Sequence, residues 1–170
     1  MSKKILVAYG TYVGSTEGVA ERIGKTLLGD DIAVDIKSAK QVSSLEGYNA
    51  VILGSAIRAG QLHADVLSFL KTFRSQLAAL PVAYFVVCLT MQSDTPENRC
   101  TVEAYMNPAR EAAPDVQPVG IGLFPGALDM KKLAFPLRLI LKAMKAKPGD
   151  YRDMQKIDQW VSEIKPQLGV

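Results

Sequence analysis

The residues best suited to chemistry lie in one short loop, Gly10-Thr11-Tyr12-Val13-Gly14-Ser15-Thr16. It follows an apolar run and precedes a pattern in which Val19, Ile23 and Leu27 recur four apart, the spacing of one helix face. Two glycines and three hydroxyl-bearing side chains at a helix start suit a phosphate dianion. Backbone N–H groups converge there, and the helix dipole favours negative charge. A turn with an ordinary N-cap would need only one Ser or Thr, so the density of hydroxyls favours the anion site. Other phosphate motifs fail on named residues. A dinucleotide fingerprint needs G-x-G-x-x-G, which is absent, and Gly14-Ser15-Thr16 lacks the lysine of a P-loop. A phosphoacceptor domain would carry carboxylates at residues 10–11 and 54–56, where there are none.

Two further loops hold candidate residues. One reads Gly54-Ser55-Ala56-Ile57-Arg58-Ala59-Gly60-Gln61-Leu62-His63, the other Leu89-Thr90-Met91-Gln92-Ser93. Arg58 can hold an acidic group through charge-assisted hydrogen bonds, or stand as a solvated loop arginine. His63 can accept a proton near neutral pH, or help start the helix at Ala64. Cys88, inside an apolar run, reads as a small core residue. No residue pair stands out as an acid–base catalyst. With one histidine and no C-x-x-C pair, no metal site is expected.

These loops must be positioned by the runs that flank them. Strands are predicted at 4–9, 32–36, 50–54, 82–89 and 119–124. Four are near-continuous apolar runs, as in parallel strands covered on both faces. The run 32–36 alternates, with Asp35 between Val34 and Ile36, which suits an edge strand. Val66, Leu70, Phe73 and Leu77 mark a second helix. Thr95-Pro96-Glu97 reads as a helix start, and Asp150 as the cap of a last helix ended by Pro166. Strand–helix alternation of this kind predicts a single α/β domain over 1–170, a doubly wound five-stranded parallel sheet with helices on both faces. Ligands of such sheets bind outside the carboxyl ends of the strands, at the switch point, where all three loops should meet.

Composition narrows the function classes. The 170 residues are 48% apolar and 22% charged, ordinary for a folded domain. The net charge of +3 does not argue for nucleic acid. No apolar run is long enough for a membrane span, and the run after Lys4 is too short for a secretory signal. Two unpaired cysteines suit a reduced, cytoplasmic chain.

The loop T-x-x-G-x-T after strand one, with loops closing from strands three and four, resembles flavodoxin. Within that superfamily the sequence is most similar to the menaquinone-dependent protoporphyrinogen IX dehydrogenase family. The matching residues are the first loop, the segment from Gly54 to His63 with its Ser-x-Ile-Arg-x-Gly-x-x-His pattern, the turn Gly126-Ala127-Leu128, and a basic segment before Asp150. The resemblance implies a flavodoxin-like fold that binds FMN. It places the phosphate at Thr11, Tyr12, Val13, Gly14, Ser15 and Thr16. The ring would lie against Ser55, Ala56, Ile57, Arg58, Ala59, Gly60, Leu89, Thr90 and Met91, with Gly126, Ala127 and Leu128 nearby. It also implies oxidation of a porphyrinogen or similar small redox substrate, with Arg58 as a substrate contact, and transfer of electrons to a quinone or redox protein. A plain electron carrier and a flavin-free binding module are the alternatives on the same fold. Val13 stands where many flavodoxins have Thr, and the two ring loops carry no Trp or Tyr. The ring is therefore expected to meet backbone and apolar contacts rather than an aromatic sandwich.

The basic segment, residues 130–147, contains Lys131, Lys132, Arg138, Lys142, Lys145 and Lys147 and no acid. Leu133, Leu137, Ile140, Leu141 and Met144 share one helical face, expected to pack on the sheet. Phe135 and Leu139 point among the cations, a pattern that suits either a solvated lysine face or peripheral contact with the inner face of an anionic membrane. Pro136 limits where a regular helix can begin.

Overall fold

The computed structural model describes residues 2–170. Its elements are β1 (Lys3–Gly10), α1 (Ser15–Leu27), β2 (Ile32–Ser38), β3 (Ala50–Arg58), β4 (Gln61–Leu62), α2 (Ala64–Ala78), β5 (Val82–Val87), α3 (Pro96–Ala104), α4 (Asn107–Ala112), β6 (Ile121–Phe124), β7 (Ala127–Leu128), α5 (Phe135–Ala143), β8 (Gly149–Asp150) and α6 (Met154–Ile164). The parallel strands run in the order β2-β1-β3-β5-β6, with Val7 paired to Ile36 on one side and Ile52 on the other. The alternating strand, β2, is the edge strand its sequence predicts.

Alternation of side chains along each strand feeds two separate cores. Leu6, Ala8, Val51, Leu53, Tyr84 and Val86 share a core with Val66, Leu70, Phe73 and Leu77 of α2, Val102 of α3 and Ala109 of α4. Ile5, Val7, Ile52, Ala83 and Phe85 face α1 and α6 through Val19, Ile23, Leu27, Ile157 and Trp160. Each fully buried Ile, Leu or Phe contributes about 1.5–3 kcal/mol relative to exposure. A buried face on both sides fixes the register, because a one-residue slip would exchange the two cores. Asp158 on α6 accepts hydrogen bonds from Arg22 Nε (2.8 Å) and Thr26 Oγ1 (2.7 Å) on α1, locking these neighbours together.

Several boundaries differ from the sequence expectation. β3 continues through Ser55-Ala56-Ile57-Arg58, because Ser55 and Ala56 still pair with Val86 and Val87. β5 stops at Val87, and Leu89–Gln92 form a 3-10 turn instead of strand. The last helix is capped by Asp153, whose carboxylate accepts the N–H groups of Gln155 and Lys156 at 3.1 Å. Asp150 is engaged instead in β8, paired with Ala127 of β7. The expected packing of Leu133, Leu137, Ile140, Leu141 and Met144 on the sheet is not found. Leu133 is buried, but no residue of α5 is. The β7–β8 pair instead clasps the base of an excursion that carries α5, and the face beside β6 is covered by α6, which follows that excursion.

Candidate functional site

The first loop leaves β1 at Gly10 and turns into α1 through Gly14, the helix N-cap, at φ 97°. Glycine reaches that left-handed backbone without a Cβ clash. Thr11 Oγ1 accepts the Gly14 N–H at 2.9 Å, which shapes the turn. No side chain caps α1, so the loop's hydroxyls are not used up by helix capping. Thr16 is fully buried, and its Oγ1 has no hydrogen-bond partner. An orphaned buried hydroxyl costs about 1–3 kcal/mol, so a partner for Thr16 would stabilise this turn. Nearby, Tyr9 donates to Glu17 Oε1 at 2.8 Å. Burial, then Glu17, pushes its phenol up to about 12.

The second loop is a hairpin extension of β3. Arg58 pairs with Gln61 across a tight turn in which Ala59 (φ 50°) and Gly60 (φ 72°) are both left-handed, as a type I′ hairpin requires. Ser55 Oγ accepts the His63 N–H at 2.8 Å, fixing the return to α2. His63 is the N-cap of α2: its Nδ1 accepts the Asp65 N–H at 3.2 Å. Of the two readings of His63, the helix start is the one the geometry shows. Arg58 is exposed, but its side chain has a partner in the first loop. Its guanidinium lies 3.9 Å above the Tyr12 ring, and His63 packs against that ring at 4.5 Å. The first and second loops are thereby held together.

The third loop is the 3-10 turn Leu89–Gln92, pinned by Asn98 Nδ2, which donates to Thr90 O (3.2 Å) and Ser93 O (2.7 Å). Its Met91 is only 2% exposed and belongs to the α2-side core, because the turn carries it inward.

The three loops enclose a cavity of about 580 Å³ at the carboxyl edge of β1, β3 and β5. That is within the range of small-molecule and cofactor sites. Of the residues singled out from sequence, Tyr12, Val13, Ser15, Ala56, Ile57, Arg58, Ala59, Gly60, Leu89, Thr90, Gly126, Ala127 and Leu128 line it. Thr11, Gly14, Thr16, Ser55 and Met91 do not. Gly14 instead borders a smaller cavity of about 80 Å³ beside the α1 N-terminus, with Val13, Ser15, Ala127, Asp129, Lys132 and Arg152. Sequence reasoning missed Val87, Cys88, Tyr105, Leu133, Leu137, Ile140, Leu141 and Met144 on the large cavity. Tyr105 supplies an aromatic wall from the end of α3, near Gly60. The α5 residues were assigned to the sheet, and their shared apolar face was the one signal that could have found them. Burial pushes the Cys88 thiol up, so it is a neutral apolar wall.

A helix start with spare hydroxyls, opening onto an apolar cleft at the switch point of a β2-β1-β3-β5-β6 parallel sheet, defines a flavodoxin-type architecture. The chain belongs to the flavodoxin domain family, which it matches over residues 6–155. It is 28% identical over 158 residues to the protoporphyrinogen IX dehydrogenase [quinone] of Leishmania major, covering 91% of this chain and 68% of that one. The protein of the same name from Escherichia coli strain K12 is 28% identical over 98 residues, covering 56% of this chain. That match spans about half of the E. coli protein, 53% of its length. Among solved structures, oxidised flavodoxin 1 of Bacillus cereus superposes with a TM-score of 0.61 at 17% identity, covering 98% of this chain and 99% of that one. The Fusobacterium nucleatum flavodoxin bound to flavin mononucleotide superposes with a TM-score of 0.51 at 15% identity, over 97% and 98% of the two chains.

The residues present fit FMN. The orphaned Thr16 hydroxyl and the uncapped α1 N-terminus suit its phosphate. The predominantly apolar cleft, with backbone groups of the two ring loops and the Tyr105 face, suits a flat heteroaromatic ring. Among the described residues, no helix is long and apolar enough to cross a membrane.

Proposed function

We propose that this chain is an FMN-dependent oxidoreductase that oxidises a porphyrinogen-like substrate and passes the electrons to a quinone. The observation that carries the reading is convergence. Three loops chosen from sequence for one cofactor wall a single cavity, with α5 added across them. Residues 11–16 hold the phosphate, and residues 55–60, 89–90 and 126–128 flank the ring. FMN, when bound, supplies hydride and single-electron chemistry. The chain's own residues bind, orient and exclude water. Leu133, Leu137 and Leu141 extend the apolar wall beyond what the three loops provide, room that a macrocyclic substrate can use. Arg58 stands at the rim, placed by Tyr12 to meet a substrate carboxylate.

The α5 excursion also bears on the acceptor. Phe135 is 69% and Leu139 52% exposed, in a segment that also carries Lys131, Arg138 and Lys142. An apolar and cationic surface beside the cavity favours a lipid-soluble acceptor over a carrier that docks only to other proteins. The chain then works in the cytoplasm, peripherally at the inner membrane face. The test is anaerobic reduction of a menaquinone analogue by FMN-loaded protein with protoporphyrinogen as donor. Turnover is expected. If the loaded protein exchanges electrons only with redox proteins, it is a flavodoxin-type carrier.

A further inference from the structure

The smaller cavity carries a feature that the loop T-x-x-G-x-T does not supply: two cations brought from outside the loop. Lys132 and Arg152 lie far apart in sequence, on opposite arms of the α5 excursion. The β7–β8 clasp joins those arms, pairing Ala127 with Asp150 and Leu128 with Gly149. The Tyr151 N–H adds a bond to Gly126 O at 3.1 Å. The clasp sets both cations beside Gly14 and Ser15 at the start of α1.

Arg152 is held in a defined pose. Its Nε and Nη2 donate to the two oxygens of Asp150 at 2.9 and 2.6 Å. That fork pairing leaves Nη1 free, and Nη1 lies against Gly18, where any Cβ would overlap it. Gly18 is therefore a cradle for the guanidinium on the first turns of α1. The other charges at the site are Asp129, whose Oδ1 accepts the Lys131 N–H at 3.0 Å, and Glu21, which acts on Arg152 from one turn further along α1. The Thr16 hydroxyl, on the same first turn of α1, is fully buried without a partner, one residue from Ser15 on the cavity wall.

We propose that Arg152 and Lys132 are specificity-determining residues that contact the phosphate of the flavin, so that the chain selects the phosphorylated cofactor by charge as well as by backbone and hydroxyl donors. This rests on the FMN reading above. Arg152 offers its free Nη1 from across Gly18, and Lys132 offers a mobile point charge from the facing wall. Asp150 positions Arg152. Because the cations belong to the α5 excursion, the phosphate ties the base of that excursion to α1.

The experiment is fluorescence titration of the full chain with FMN and with riboflavin, at low and high salt. The variants are Arg152→Gln, Lys132→Gln and Gly18→Ala. The wild type should prefer FMN strongly, with a preference that shrinks as salt rises. Each of the three variants should lose FMN affinity roughly 10- to 100-fold, the range for one hydrogen bond to a charged group. Riboflavin affinity should stay the same, and the salt dependence of FMN binding should flatten. Arg152→Lys should restore part of the loss. Gly18→Ala guards against misfolding, because Ala raises helix propensity while displacing the guanidinium. If the wild type prefers FMN and all three variants keep that preference, the two cations are not phosphate contacts, while the phosphate loop stands. If the wild type binds FMN and riboflavin equally, the phosphate reading itself is overturned.

Discussion

Thr16 is fully buried, and its hydroxyl has no partner in the protein. A buried hydroxyl without a partner is uncommon, and this one sits on the first turn of a helix that no side chain caps. Replacing it separates stability from binding. Thr16→Val should raise the urea midpoint of the cofactor-free protein, because it removes an unsatisfied group that costs about 1–3 kcal/mol. The same change should weaken FMN roughly tenfold or more and leave riboflavin nearly untouched. Equal weakening of both flavins would place the hydroxyl at the ring or in the fold. Much at this scale was legible in the sequence. The hydroxyl-rich loop, the His63 cap and the core position of Cys88 follow from residue type and neighbours. Met91 was not, because its inward direction is set by the 3-10 turn that Asn98 pins from α3. Tyr105 was missed for the same reason: a residue reached only through tertiary packing leaves no local pattern.

At the scale of elements, the parallel strands and their flanking helices were read correctly because both periodicities are strong. The excursion between β6 and α6 was not. Its apolar face has the spacing of a core helix, and spacing alone cannot say whether that face covers a sheet or roofs a cavity. The two-residue strands β7 and β8, which decide it, are too short to leave a pattern. The link between α1 and α6 gives a pH prediction. Arg22, then Thr26, holds the Asp158 carboxyl at about 2, below the ordinary 3.8. Arg99 and Lys156 hold Asp94 at about 2 in the same way. A depressed carboxyl stabilises the fold above its unfolded value and loses that contribution as pH falls through the folded one. Stability should therefore decline as pH drops from 3.8 toward about 2. Asp158→Asn should flatten part of that decline, read as the urea midpoint at each pH. An unchanged pH profile would show that the pair with Arg22 does not persist in solution.

For the whole molecule, the fold supplies a two-cored frame, and the three loops and the α5 excursion meet around the cavity at one edge. The proposed contact with an anionic membrane surface rests on the weakly basic charge and the exposed apolar side chains of α5. Such a patch gains about 1 kcal/mol per Lys or Arg near an anionic bilayer, which gives reversible attachment rather than a permanent anchor. The chain should co-sediment with anionic vesicles at low salt and release at high salt. Glu at Lys131, Arg138 and Lys142 should abolish the sedimentation. Failure of the wild type to sediment at low salt would show that the α5 segment does not contact anionic membrane. The central claim remains that the cavity is an FMN site, and the most direct measurement is the visible spectrum of the purified chain after mixing with FMN and gel filtration. A yellow protein that retains FMN in a one-to-one ratio is expected, with flavin emission altered from that of the free cofactor. A colourless protein, with all FMN eluting free, would contradict it.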